Sequence, residues 1–169
     1  ADPALLRSFK WICRAAIQHR MHEPERLILV VMKSSRFGSL SHSHGDQNAF
    51  CLAAFGEDLA IQSGHYVAFN STMHRAWRRQ TASKNAILVN GKGQYAGKDK
   101  AKAMASSGRI VVAKQCKDHI FIQGDATAAY RSLSPEVSLV TRDVYFVRNT
   151  YFVIVDRIQA STSVEIARL

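Results

Sequence analysis

The chain has 169 residues, with 23 Lys+Arg against 13 Asp+Glu and a formal net charge of +10. That length makes one domain, or a piece of a larger protein, and buries roughly 70% of the unfolded surface. With 47% hydrophobic residues, 21% charged residues and 3 prolines, the chain is not disordered, fibrous or of low complexity. No apolar run approaches the roughly 20 residues of a membrane-spanning helix. The cysteines, Cys13, Cys51 and Cys116, are odd in number and widely spaced, which suits small core residues rather than a disulfide framework or a zinc ribbon. The positive charge attracts polyanions, whether nucleic acid, anionic lipid or acidic polysaccharide, and does not choose among them.

Residues 2–20 are expected to form one amphipathic helix. Asp2 can cap it, Pro3 suits its first position, and Leu5, Phe9, Ile12 and Ala16 recur at helical spacing. Residues 21–25 break the pattern, and from Arg26 the period becomes that of strands. Strands are predicted at 27–32 and 48–55, with a turn at Gly56-Glu57-Asp58 and a return strand from Leu59. Residues 86–89 lead into Asn90-Gly91, a type I′ hairpin signal. Further strands follow at 109–115, 118–124, 136–148, 151–158 and 163–168. Short strands without intervening helices make the chain mainly β, an antiparallel β-sandwich with one N-terminal helix. Residues 64–84 and 92–107 are polar and basic and are expected to be long loops. The alternating pattern running to Leu169 without a closing turn suggests a piece of a longer protein, truncated at its C-terminus.

Chemistry concentrates in Ser41-His42-Ser43-His44-Gly45-Asp46-Gln47-Asn48. On an extended segment two histidines two apart face the same side, which suits a metal site or one catalytic His beside a structural one. The alternative is a polar turn held by Asp46 and Asn48. The H-x-H-x-D run also resembles binuclear metallohydrolases of the metallo-β-lactamase type, although Gln47 stands where those proteins have another His. A second constellation, from His65 to Thr81, mixes Arg75, Arg78 and Arg79 with Tyr66, Phe69 and Trp77. Arginine forks bind carboxylates and sulfates, and aromatic faces stack on sugars or bases. The alternative buries Trp77 and leaves the arginines in solvent. Gly91 and Gly93 lack the helix and the G-K-[ST] ending of a phosphate loop.

Several segments, in this order, resemble the heparinase II/III-like polysaccharide lyases. They are Phe37-Gly38-Ser39-Leu40-Ser41-His42-Ser43-His44-Gly45-Asp46-Gln47-Asn48, Leu59-Ala60-Ile61-Gln62-Ser63-Gly64-His65-Tyr66, Arg79-Gln80-Thr81-Ala82-Ser83-Lys84-Asn85-Ala86, Gly124-Asp125-Ala126-Thr127, Arg142-Asp143-Val144-Tyr145, and Tyr151-Phe152-Val153-Ile154-Val155-Asp156-Arg157. Within the family, Ser83-Lys84-Asn85-Ala86 is most similar to the oligoalginate-lyase branch.

The resemblance implies a larger enzyme in which an α/α toroid precedes a β-sandwich and the active site lies in the cleft between them. Residues 1–25 would then be the last toroid helix and connector, and 26–169 the sandwich. The implied reaction is β-elimination on a uronic-acid-containing polysaccharide, alginate or heparin/heparan-like, in the bacterial periplasm or else the cytoplasm. His42 matches the family's catalytic His. Tyr66, Arg75, Arg78 and Arg79 are expected to bind substrate, and His44, Asp46, Gln47 and Lys84 to support the site. The expected partners are the acidic polysaccharide and the preceding toroid, with no nucleic acid and no membrane span. Heparinase II binds zinc here, but Gln62 and Lys84 occupy two of its ligand positions. A neutral amide is a poor ligand and an ammonium repels the ion, so no zinc or other cofactor is expected. Lys84 would supply the positive charge instead, beside Asp46. Two other functions fit the sequence: a non-catalytic sandwich that grips polyanions, and a metal-dependent hydrolase built on His42, His44 and Asp46.

Overall fold

The computed structural model describes residues 4–9, 12–63 and 67–168. Among the described residues eleven strands form three antiparallel sheets. The first is β1 (Leu5–Phe9), β2 (Arg14–His19), β3 (Ile28–Lys33), β4 (Ala49–Ala54) and β5 (Glu57–Ala60), each paired with the next. The second is the meander β7 (Arg109–Gln115), β8 (His119–Asp125), β9 (Val137–Val147) and β10 (Tyr151–Ala160). The third pairs β6 (Ile87–Val89) with β11 (Ile166–Arg168). The helices are short, with α1 at Lys100–Ala105 and α2 at Thr127–Arg131. Among the described residues no helix is long and apolar enough to cross a membrane.

Strand alternation makes the sandwich. Ile28, Val30 and Met32 of β3 point inward with Ile17 of β2, and they meet Ile120 and Ile122 of β8 and Val144 and Phe146 of β9. Each fully buried side chain of this size contributes about 1.5–3 kcal/mol. A second apolar cluster joins Ile87 and Val89 to Ala129 and Tyr130 of α2 and to Val137 and Val140 of β9. The opposite phase of β3, which is Leu29, Val31 and Lys33, faces outward beside Arg14 and Ala16 of β2 and Ala49 and Cys51 of β4.

The predicted N-terminal helix is not formed. Instead β1 and β2 pair antiparallel, with Phe9 opposite Arg14 and Leu5 opposite Gln18, and β2 is bonded to β3. Asp2 and Pro3 lie outside the described residues. The helical stripe would bury Leu5, Phe9 and Ile12, which are 45%, 46% and 54% exposed, while Ile17, off that stripe, is fully buried. Burial against the second sheet outweighs a weak local helical pattern, as tertiary context routinely does. The boundary expected at residue 25 falls with the helix, because residues 4–25 belong to the first sheet and its connection.

The predicted strands correspond to β3, β4 and β6–β11, with two shifts. The turn after β4 is Phe55-Gly56, both left-handed at φ 58° and 81°, so β5 starts at Glu57. Asn90-Gly91 is a tight turn with φ 50° and 70°, but its return is a single bridge from Val89 to Lys92, and β6 pairs with β11 instead. The two expected loops contain a wide helical turn at His74–Arg78, a short turn at Thr81–Ser83, and α1. The cysteines are all half-buried and joined by no disulfide, and Cys51 lies on the outer face rather than in the core.

Candidate active site

A cleft of about 570 Å³ lies over the outer face of the first sheet, beneath the loop that joins β3 to β4. Val31, Lys33, Ala49 and Cys51 form its floor, Arg14 and Phe37 border it, and His42, His44, Asp46 and Gln62 reach it from the loops. The loop is fixed from below. Gln47 is fully buried: its Oε1 accepts from the Ser35 N–H at 2.6 Å, and its Nε2 donates to the Gly38 carbonyl at 3.3 Å. Its backbone exchanges a pair of bonds with the Gln94 side chain: Gln47 N–H donates to Gln94 Oε1, and Gln94 Nε2 donates to Gln47 O, both at 2.8 Å. Tyr130 completes the lattice by donating to the Ile87 carbonyl at 2.7 Å, and burial pushes its hydroxyl up to about 12, which keeps it a donor. Gly38 is required where the loop crosses α1, since it has φ 61° and a Cβ there would stand 2.0 Å from the Ala103 carbonyl oxygen.

Both histidines line the cleft, but not through strand alternation. The Ser43 N–H donates to the Leu40 carbonyl at 3.0 Å and Ser41 is left-handed at φ 56°, so the segment is a turn. His42 is exposed and lies against Phe69, with ring centroids 4.4 Å apart. Phe69 touches His74 at 5.1 Å, and His74 meets His44 edge-on at 5.9 Å. His74 is buried, and its Nδ1 accepts from the Asn70 N–H at 3.2 Å. Desolvation and then Arg79 hold its pKa below the ordinary value, so it is a neutral wedge between the two site histidines. Sequence reasoning missed His74. The signal was its place at the start of an aromatic and basic run, and the wide helical turn that carries it is a form often found at functional positions.

The charges divide differently from expectation. Asp46 is buried and ion-paired with Lys33, a residue not singled out from the sequence. Lys84 is buried too, but its Nζ donates to the Arg78 carbonyl at 2.7 Å, and it acts on Asp46 only through space. Burial pushes Lys84 down to about 8, with Arg78 and Lys33 adding to the shift and Asp46 opposing it. His44 is pushed down to about 4, by burial first and then by Lys84. A divalent cation does not suit this donor set: two lysines face His44 and Asp46, and Asp46 is already neutralised. Among the described residues no group of three His, Cys, Asp or Glu side chains converges as a metal site.

The loop arginines stand apart from the cleft lining. Arg79 donates to the Ser39 carbonyl and, at 3.3 Å, to the Ser43 carbonyl, so it braces the His42–His44 turn from behind. Arg75 is exposed and bonded to the Asn70 carbonyl, and Arg78 is half-buried. Trp77 is 40% exposed with its indole N–H on Ser63 Oγ at 2.6 Å, so it is not a core residue. Tyr66 lies outside the described residues. Behind the site, Arg142 of β9 donates to the Asn48 carbonyl at 2.9 Å and the Asn85 carbonyl at 2.6 Å, while its fork grips buried Asp156 at 2.7 and 3.1 Å. Asn85 in turn donates to the Phe50 and Ile61 carbonyls at 3.0 and 3.1 Å.

An antiparallel sandwich carrying a His-x-His turn on its outer face is the class of domain these observations define. The family model described as Heparinase II/III-like, C-terminal, matches residues 13–168, and the chain belongs to that family. Solved structures share the fold. A heparinase III is similar with a TM-score of 0.72 and 19% identity, and a mutant of the heparan sulfate lyase HepC from Pedobacter heparinus with 0.75 and 16%. The HepC structure without that designation gives 0.72 and 16%. Each alignment covers 96% of this chain and 23% of the other, so the chain spans about a quarter of those proteins' length. No curated protein sequence matches.

Proposed function

We propose that this chain forms one wall of the active site of a lyase that cleaves acidic polysaccharide by β-elimination at a uronic acid. In that reaction a base removes the C5 proton, the electron pair becomes the C4–C5 double bond, and the C4–O4 bond breaks as O4 takes up a proton. His42 is the group on this chain that moves the C5 proton. The observation that carries the proposal is its placement: an exposed imidazole, tilted against Phe69, at the rim of a cleft whose other charges are mainly cationic. Lysines lower the cost of a developing carbanion next to a carboxylate, and a positioned base supplies roughly 10²–10⁴-fold. His44, His74, Arg79 and Gln47 hold the turn. A preceding helical domain would provide the opposite wall and the acid for O4. The Ser83-Lys84-Asn85-Ala86 segment makes alginate the first substrate to try.

The test offers alginate, heparin, hyaluronan and chondroitin to the intact protein and follows the ultraviolet absorbance of unsaturated uronates. Product from at least one glycan, and a loss of roughly 10²–10⁴-fold in turnover for His42→Ala with an unchanged melting temperature, is the expected result. Binding without any product would favour the non-catalytic sandwich, and activity within a few-fold of the parent would remove His42 from the mechanism.

A further inference from the structure

On the floor of the cleft, Arg14 and Lys33 occupy directly paired positions on neighbouring antiparallel strands, both on the outward face. Like charges placed so are normally destabilising. Lys33 is relieved by Asp46. Arg14 is exposed, and among the described residues no carboxylate forms an ion pair with it. Lys84 adds a further cation nearby, close enough to Lys33 and Asp46 for each to perturb its charge. Besides Lys33, the neighbours of Arg14 on this face include the small or apolar Ala16, Val31 and Ala49.

We propose that Arg14 is an anion-binding residue: it takes an anionic group of a sugar, carboxylate or sulfate, lying across the outer face of the first sheet within reach of His42. The proposal rests on the lyase reading for its ligand class but not for its measurement. A planar guanidinium accepts such a group through two parallel N–H bonds, and Lys33, held in place by Asp46, adds field without competing for the fork. Arg14 thus does what was expected of Arg75 and Arg79, whose guanidinium groups are spent on backbone carbonyls.

Binding is measured by calorimetry on the intact protein in a His42→Ala background, so that no turnover intervenes. The probes are a triuronate, the same trisaccharide with its carboxylates reduced to alcohols, and the reduced form carrying sulfate esters. Arg14→Gln should weaken triuronate binding roughly 10-fold, as expected for one charge-assisted contact. The reduced trisaccharide should bind weakly and equally to parent and variant. Recovery of Arg14-dependent binding by the sulfated form assigns the site to sulfates as well, and its absence confines the site to carboxylates. The control is Arg7→Gln, an exposed arginine on β1 whose Nε donates to Gln18 Oε1, and it should change affinity less than twofold. Equal affinity of parent and Arg14→Gln for both anionic probes, or an equal loss with Arg7→Gln, overturns the proposal. Failure of every glycan to give unsaturated product would sink the lyase reading while leaving this binding result standing.

Discussion

His44 shows how much of the site's behaviour follows from one half-buried ring. Its folded pKa, near 4, lies below the ordinary 6.5, because burial and Lys84 disfavour the imidazolium. Above pH 6.5 both folded and unfolded chains hold the ring neutral. Between 6.5 and about 4 the unfolded chain binds a proton that the folded chain refuses, so this contribution to stability is lost as pH falls through that window. His44→Gln, which keeps a polar side chain but cannot titrate, should therefore narrow the gap between melting temperatures at pH 7 and pH 5. An unchanged gap would mean that His44 is not shielded as described. Lys84 acts in the same sense at higher pH: its burden of buried charge is present in full below about 8 and is relieved as pH rises toward 10.5. At neutral pH Lys84 therefore carries its charge close to a His44 ring that is uncharged.

At the scale of elements, the first hairpin separates two views of the same letters. A helix over 2–20 would make Ile12 a core residue and leave Ile17 at the edge of the stripe, and the hairpin reverses them. Ile17→Ala should cost about 2–5 kcal/mol in denaturant unfolding, whereas Ile12→Ala should fall within about 0.5 kcal/mol of the parent. Comparable losses at both positions would restore the helix. The remaining strands were legible because alternation such as Ile28, Val30, Met32 against Leu29, Val31, Lys33 is a strong signal wherever one face is buried. Residues 4–19 carry no such alternation, since β1 is largely exposed and β2 buries three successive residues, Ala15, Ala16 and Ile17. Of the site, the His-x-His turn with Asp46, Gln47 and Lys84 was legible as chemistry, and the partners of those groups were not. Lys33 lay just past the predicted strand 27–32 and Arg14 within the predicted helix, and only the pairing of β2 with β3 sets them side by side. His74 could be placed between His42 and His44 only once the loop from 67 to 79 had folded back over the sheet.

Across the whole molecule the two apolar clusters and the site meet at Arg142. Its guanidinium joins the end of the His-x-His loop at Asn48, the segment entering β6 at Asn85, and Asp156 on β10, which also receives Arg168 of β11 at 3.1 Å. All three sheets thus depend on one buried cation. Arg142→Met should destabilise the protein by about 3–5 kcal/mol, because it leaves Asp156 charged and buried with a single, mostly exposed partner. Arg142→Met combined with Asp156→Leu should recover only part of that loss, since the Asn48 and Asn85 carbonyls still lack a donor. Full recovery of the midpoint would reduce Arg142 to an ion-pair partner. A single unfolding transition in the parent is expected, with tryptophan fluorescence and circular dichroism coinciding.

The reciprocal bonds between Gln94 and the backbone of Gln47 have a consequence for how this surface can change. A side-chain amide there imitates the peptide group of an adjoining strand, so the segment carrying His42 and His44 is anchored as firmly as a sheet without being pleated. Its residues are released from the two-residue rhythm that dictates which way each side chain points in a strand. Insertions or exchanges between Leu40 and Gly45 can then re-aim the imidazoles without shifting the register of β3 on β4. The one substitution this freedom forbids is the smallest in size. Gln94→Glu, also the outcome of slow deamidation, can accept but no longer donate, and it would strip the Gln47 carbonyl of its partner while bringing a carboxylate into the buried lattice.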